Sequence, residues 1–209
     1  MSSIVIEGKR VFLRFPKQND QAEYLALNRR SASFHRGLAS PPTRPEQFAA
    51  FIERCRLDTT ASFFICRRTD GVIVGYISLS EIVRGGFQSA YLGYHMGAEF
   101  AHQGYMTEAI ALVLRYAFTK LKLHRVEANI QPGNIASLAL VKRAGFVKEG
   151  FSRRYLKICG RWRDHERWTI LAEDWRAAKR HKIRVIDDAG DRARLVRRAS
   201  EPGGDRRAG

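Results

Sequence analysis

Two apolar runs, SFFICRR and VIVGYISLSEIV, stand on either side of Thr69-Asp70-Gly71. A short polar turn with a glycine between strand-like runs is a hairpin signal, so the chain is expected to lay two antiparallel strands side by side there. FQSAYLGYHM adds a third strand to the run. On either side of these three the hydrophobic period changes. Upstream, KRVFLRF alternates Val11, Leu13 and Phe15 against Phe12 and Arg14 and closes at Pro16, which reads as a first strand. NDQAEYLALNRRS then puts Ala22, Leu25 and Ala26 at helical spacing. A second helix, TRPEQFAAFIERCRL, takes Thr43 as cap and Pro45 in its first turn, with Phe48, Phe51, Ile52 and Cys55 inward.

Downstream, YMTEAIALVLRYAFTKL reads as a helix with Ala109, Leu112, Val113 and Tyr116 on one face. HRVEANIQ reads as a strand and NIASLALVKRAGF as a shorter helix stopped by Gly145. VKEGFSRRYLKI and HERWTILAEDW are expected to be two closing strands around the turn CGRWRD. The order β-αα-βββ-α-β-α-ββ describes an α/β fold with a mixed, mostly antiparallel sheet.

With 209 residues, 44% of them hydrophobic, the chain can bury one substantial core and carry a tail. Residues 1–178 are expected to form one domain. Residues 179–209, rich in arginine and ending in Pro, Gly and Asp, read as a basic extension beyond the fold. No stretch has the roughly 18 apolar residues that a membrane helix needs, and MSSIVIEGKRVF lacks the apolar segment of a signal peptide, so a cytoplasmic protein without a membrane partner is expected. Cys55, Cys66 and Cys159 are odd in number and widely spaced, which points to reduced thiols that fill space. No histidine or cysteine pair has metal-ligand spacing, so no metal is expected. The net charge of +16 draws polyanions, and the tail is a candidate for weak contact with RNA or the ribosome.

Gly104 in FAHQGYMTEAI leads directly into a helix whose free N–H groups and positive dipole end attract an anion. The pattern is neither a Walker loop nor a dinucleotide turn. The order of elements, together with VRGGFQSAYLGY, QGYMTEA, LHRVEANIQPGNIAS, RAGFVKEGF and YLKICGRWRDH, resembles the GNAT superfamily of N-acetyltransferases. It is most similar to the RimJ/RimL type that modifies ribosomal proteins, its alanine branch above all. The resemblance spans about residues 9 to 175 and implies the GNAT fold, with acetyl-CoA as the acetyl donor. The anion is then the pyrophosphate of coenzyme A, wrapped by backbone N–H groups of the positions matching Ala101 to Met106. His102, Gln103, Gly104, Tyr105, Met106 and Thr107 are the candidate binding residues. Ala101 and Met106 depart from the polar and small residues usual at their positions.

Acyl transfer to an amine needs a neutral amine, a stabilised oxyanion and a proton for the leaving thiolate. The resemblance places the oxyanion donor on the main chain near Met96, on the strand ending LGYHMG. It also implies that Asn134 and Ser137 hold the cofactor and that Ser137 donates to the departing sulfur, Val141 standing where many relatives carry tyrosine. Asn134 and Ser137 equally read as ordinary helix-cap chemistry. For the base, the family's glutamate position falls on Leu156. Glu81, Glu99, Glu149 and Asp164, with His95, remain as proton acceptors, and Glu99 is taken as the catalytic candidate beside Ser137. Glu108 reads as an acid placed to suit the helix dipole. An α-amine, with a pKa of about 7.7 to 8.0, is in part neutral at pH 7 and needs a weaker base than lysine does.

The expected function is therefore acetyl transfer, by direct attack in a ternary complex, to an N-terminal amine of a ribosomal protein, with alanine as its first residue. A GNAT enzyme for a small-molecule amine (amino acid, polyamine or antibiotic) and a non-catalytic module for RNA or ribosome binding are the alternatives. RNA binding lost on truncation before His181, with transfer intact, would make the tail an accessory.

Overall fold

A computed structural model describes residues 4–178 of the chain. The strands are β1 (Ile4–Glu7), β2 (Val11–Arg14), β3 (Ala61–Arg67), β4 (Ile73–Val83), β5 (Ser89–Met96), β6 (Arg125–Ile130), β7 (Val147–Ile158) and β8 (Arg161–Leu171). The helices are α1 (Gln21–Arg30), α2 (Pro45–Cys55), α3 (Tyr105–Thr119) and α4 (Ile135–Arg143). One sheet takes all eight strands in the order β1-β2-β3-β4-β5-β6-β8-β7. Every neighbouring pair is antiparallel except β5 and β6. The expected order of elements is present, with one strand added in front.

Consecutive strand residues face opposite sides, and β3 sorts the helices accordingly. Phe63 meets Tyr116 of α3, whereas Phe64 packs on Tyr24 of α1 and Phe51 of α2. Cross-strand partners share a face, so Ile77 and Tyr94 lie on the α3 side with Phe63, and Tyr76 and His95 on the α1/α2 side with Phe64. Phe63, Phe64, Ile65 and Cys66 are wholly buried, which explains why the hairpin around Thr69-Asp70-Gly71 is apolar on both faces.

Several local expectations need correction. β2 ends at Arg14, which turns inward to meet Asp20 at 2.7 and 2.8 Å, while Phe15 is exposed. In α1 the buried positions are Tyr24, Leu25, Leu27 and Asn28, and Ala22 faces solvent. α2 starts from Arg44 rather than Thr43; the Gln47 side chain accepts from both backbone N–H groups and closes the first turn. The turn between β7 and β8 is only Cys159-Gly160, so Arg161 to Asp164 belong to β8. Cys66 is buried as expected, but Cys159 is exposed in this turn, beside the Ser40 hydroxyl. The chain divides after Ala172: the first unit holds the sheet and its helices, and in the second residues 173–178 are helical. The basic extension at 179–209 lies outside the described residues. No helix among the described residues is long and apolar enough to cross a membrane.

Candidate active site

The site starts from a defect in the sheet. β5 and β6 pair only at Ser89↔Arg125, Ala90↔Val126 and Tyr91↔Glu127, yet β5 continues to Met96 and β6 to Ile130. Each strand stays paired on its other side, β5 with β4 and β6 with β8, so the two separate as a fork. Gln88 accepts from the N–H groups of His124 and Arg125 on the β6 side, and Gly97 donates to Val74 on the β4 side at 2.9 Å. Alternation along β5 then turns the peptide groups of Leu92, Tyr94 and Met96 toward the gap. His35, in the α1–α2 connection, occupies the Met96 carbonyl by donating from Nε2 at 2.9 Å, which leaves the Met96 N–H facing the fork. Asn129 Oδ1 on β6, a buried polar atom, has no hydrogen-bond partner among the described residues, and the buried Tyr94 Oη on β5 makes no short hydrogen bond there.

The turn into α3 stands beyond the end of β5. His102 and Gly104 both have left-handed backbone, φ 61° and 82°, and curl residues 101–104 into a concave turn of the kind that binds anions through N–H groups. No side chain among the described residues caps α3. Arg10, from the β1–β2 turn, donates to the Gln103 carbonyl at 2.6 Å and lies 4.6 Å over the Tyr105 ring, bringing a positive charge beside the turn. The Gln103 side chain turns back to the Glu99 carbonyl, so only its backbone faces an anion. Glu108 accepts the Arg10 N–H at 2.9 Å and fastens this turn to the first strands.

α4 covers the fork from the α3 face. Asn134 caps it by accepting the Ser137 N–H at 3.1 Å. Burial raises the Tyr94 phenol above its ordinary value, and the Ser137 hydroxyl is the neighbour that offsets this rise. Ser137 and Tyr94 are thus brought together, while Val141 is wholly buried in the core. The sequence reading missed Tyr94; its signal is the alternation in LGYHM, which puts it on the same side as Met96.

The other face of the sheet carries a pocket of about 320 Å³ between α1, α2, β3, β4 and β5. Tyr24, Phe51, Tyr76 and His95 form its aromatic part, and Ser62, Ser78, Ser80, Thr59 and Thr60 supply hydroxyls. Among the described residues that line it, Arg54 is the one guanidinium and Glu81 the one carboxylate. His95 shares a hydrogen bond of 2.9 Å with the Tyr24 hydroxyl. Burial, helped by the nearby His35, pushes its pKa down to about 3, so the imidazole is neutral.

The remaining candidates lie elsewhere. Glu99 is exposed and ion-paired with Arg30 at 2.9 Å. Glu149 is held below the usual carboxylate range by Arg125. Asp164 accepts the Arg154 N–H at 2.7 Å, and Leu156 is exposed. Among the described residues no cluster of His, Cys, Asp and Glu stands ready for a metal ion.

A family model described as an acetyltransferase (GNAT) domain matches residues 10–147. A probable N-acetyltransferase of Bacillus subtilis, YjcK, is 34% identical over 178 residues, covering 81% of this chain and 98% of its own. The ribosomal protein uS5-alanine N-acetyltransferase of Escherichia coli is 41% identical over 103 residues, which span 49% of this chain and 53% of the relative. Among solved structures, Mycobacterium smegmatis RimJ in complex with CoA-disulfide superposes with a TM-score of 0.70 at 27% identity, covering 81% of this chain and 90% of that one. A forked sheet with an anion-binding turn beyond one of its strands fits the elongated acetyl-CoA molecule, and with these likenesses it establishes that the chain belongs to the GNAT family of acetyl-CoA-dependent N-acetyltransferases.

Proposed function

We propose that the chain acetylates the N-terminal amine of a protein, a ribosomal protein beginning with alanine being the acceptor that the name of the Escherichia coli relative suggests. The observation that carries this reading is the charge balance of the pocket on the α1/α2 face. One carboxylate against one guanidinium suits an acceptor with a single amine; a polyamine, with several charges, would ask for several carboxylates. The hydroxyl lining suits the peptide groups of an extended chain end. The name of the Escherichia coli relative and the RimJ likeness support a ribosomal acceptor.

In this scheme His102 to Thr107 offer N–H groups to the pyrophosphate, and the pantetheine arm lies along Leu92–Met96 as an added strand. The Leu92 N–H, nearest the closed end of the fork, faces the thioester oxygen, and that of Met96, beside the pyrophosphate turn, pairs with the arm. Asn134 holds the start of α4 against the arm, and Ser137 with Tyr94 donates to the departing sulfur. The amine enters from the opposite face and attacks the thioester directly in a ternary complex.

The test mixes the protein and acetyl-CoA with three acceptors: a peptide with free N-terminal alanine, an N-blocked peptide with an internal lysine, and spermidine. Intact masses are then read. One added acetyl group on the alanine peptide alone is the expected result. Acetylation of spermidine or of the internal lysine instead would overturn the proposed acceptor.

A further inference from the structure

β4 contains an irregularity that a regular strand would not tolerate. Its pairing with β5 slips between Ser80 and Val83, and Glu81 within the slip has φ 49°, in the left-handed region that residues with a side chain rarely adopt. Successive strand residues face opposite sides, yet Ser80 and Glu81 both line the pocket on the α1/α2 face. The bulge therefore re-aims Glu81 from one face of the sheet to the other. It does so at a particular place: Ser80 pairs with Tyr91, and Tyr91 is the last residue of β5 that pairs with β6. Glu81 stands about one strand spacing, roughly 5 Å, from the closed end of the fork. It is the only carboxylate among the described residues lining the pocket.

We propose that Glu81 is the catalytic carboxylate that binds the acceptor as an ammonium ion and takes its proton. This rests on the GNAT chemistry above and holds for whichever of the three amine acceptors the parent uses. Glu81 removes one proton from the ammonium and passes it to solvent. The freed nitrogen lone pair forms the C–N bond, the C–S bond breaks with its electron pair going to sulfur, and the second nitrogen proton ends on the coenzyme thiol. The products are the amide, free coenzyme A and one released proton.

The test uses the full-length chain and whichever of the three acceptors above the parent acetylates. Glu81→Gln is expected to lower kcat/KM about 100-fold while leaving acetyl-CoA affinity unchanged. It is also expected to change the pH profile. The parent uses the ammonium form, so its kcat/KM stays level below the amine pKa; the variant uses only free amine and loses about tenfold per pH unit there. The deficit widens from pH 9 to pH 6. Glu81→Asn accepts left-handed backbone readily, so it should keep or raise the melting temperature and be as inactive as the glutamine variant. Glu81→Gln with kcat/KM within threefold of the parent, or a deficit independent of pH, overturns the proposal. So does Glu99→Gln if it alone reproduces the pH-dependent loss. Acetylation of spermidine by the parent would remove the N-terminal acceptor and leave Glu81 to be judged on spermidine. A parent that acetylates none of the three overturns both.

Discussion

Ser137 and Tyr94 show what a single residue can and cannot reveal. Asn134 and Ser137, three apart, read either as a helix cap or as cofactor chemistry. The structure makes the cap directly, through the Ser137 N–H, and so leaves the Ser137 hydroxyl free of that duty. Tyr94, 43 positions earlier in the chain, supplies a second hydroxyl beside it. Its raised pKa keeps the phenol protonated, hence a donor, across the physiological range. If the two act as one donor unit, Ser137→Ala should lower kcat about 100-fold with acetyl-CoA affinity unchanged, and Tyr94→Phe should do much the same. The double variant should lose little more than either single one. Steady-state kinetics with a calorimetric Kd would check this, and additive losses would separate the two roles. Spacing along one helix exposed Ser137 to a sequence reading. Tyr94 was hidden because the serine beside it comes from another element.

At the scale of elements, period and turn chemistry made the order readable, because each segment from β2 onward carries its own apolar pattern. β1 escaped because four residues, Ile4 to Glu7, hold too few alternations to register. Arg14 escaped for a different reason. A charged residue in an alternating strand reads as outward, and only the approach of Asp20 makes its burial tolerable. The bulge at Glu81 and the fork had no local signal, since both depend on which strands pair and for how long.

The closing strands carry a testable electrostatic feature. Arg125 on β6 reaches Glu149 on β7 and Thr169 on β8, fastening the edge of the sheet. Arg125 depresses the Glu149 pKa, so the contact stabilises the fold above the ordinary carboxylate pKa and is lost as pH falls through the depressed one. Glu149 is partly exposed, and solvent screens the gain. Glu149→Gln should therefore lower the melting temperature by about 2 °C at pH 7. The difference should vanish as the pH is taken below the depressed Glu149 pKa. Thermal melts of both proteins across that range would check it, and a deficit that persists in acid would assign the loss to packing.

At the scale of the whole sheet, β1 to β5 form one antiparallel half and β6 to β8 another, joined by three parallel residue pairs. Two halves with so short a seam are held together partly by whatever fills the fork. Acetyl-CoA lying along β5 would add the missing pairing there, so binding should both stabilise the fold and do so at particular amides. At a concentration 100 times Kd the gain is about 2.7 kcal/mol, which for a domain of this size corresponds to a rise of roughly 5–10 °C in melting temperature. Hydrogen exchange locates it. The N–H groups of Leu92, Tyr94 and Met96 face the gap and should exchange quickly in the free protein and slowly with coenzyme A bound. Those of Gly93 and His95, directed to β4, should be slow in both states. Protection spread evenly over all five amides would mean that coenzyme A tightens the whole sheet and does not pair with β5. Protection confined to the alternate three would show the arm acting as the strand that the fork lacks.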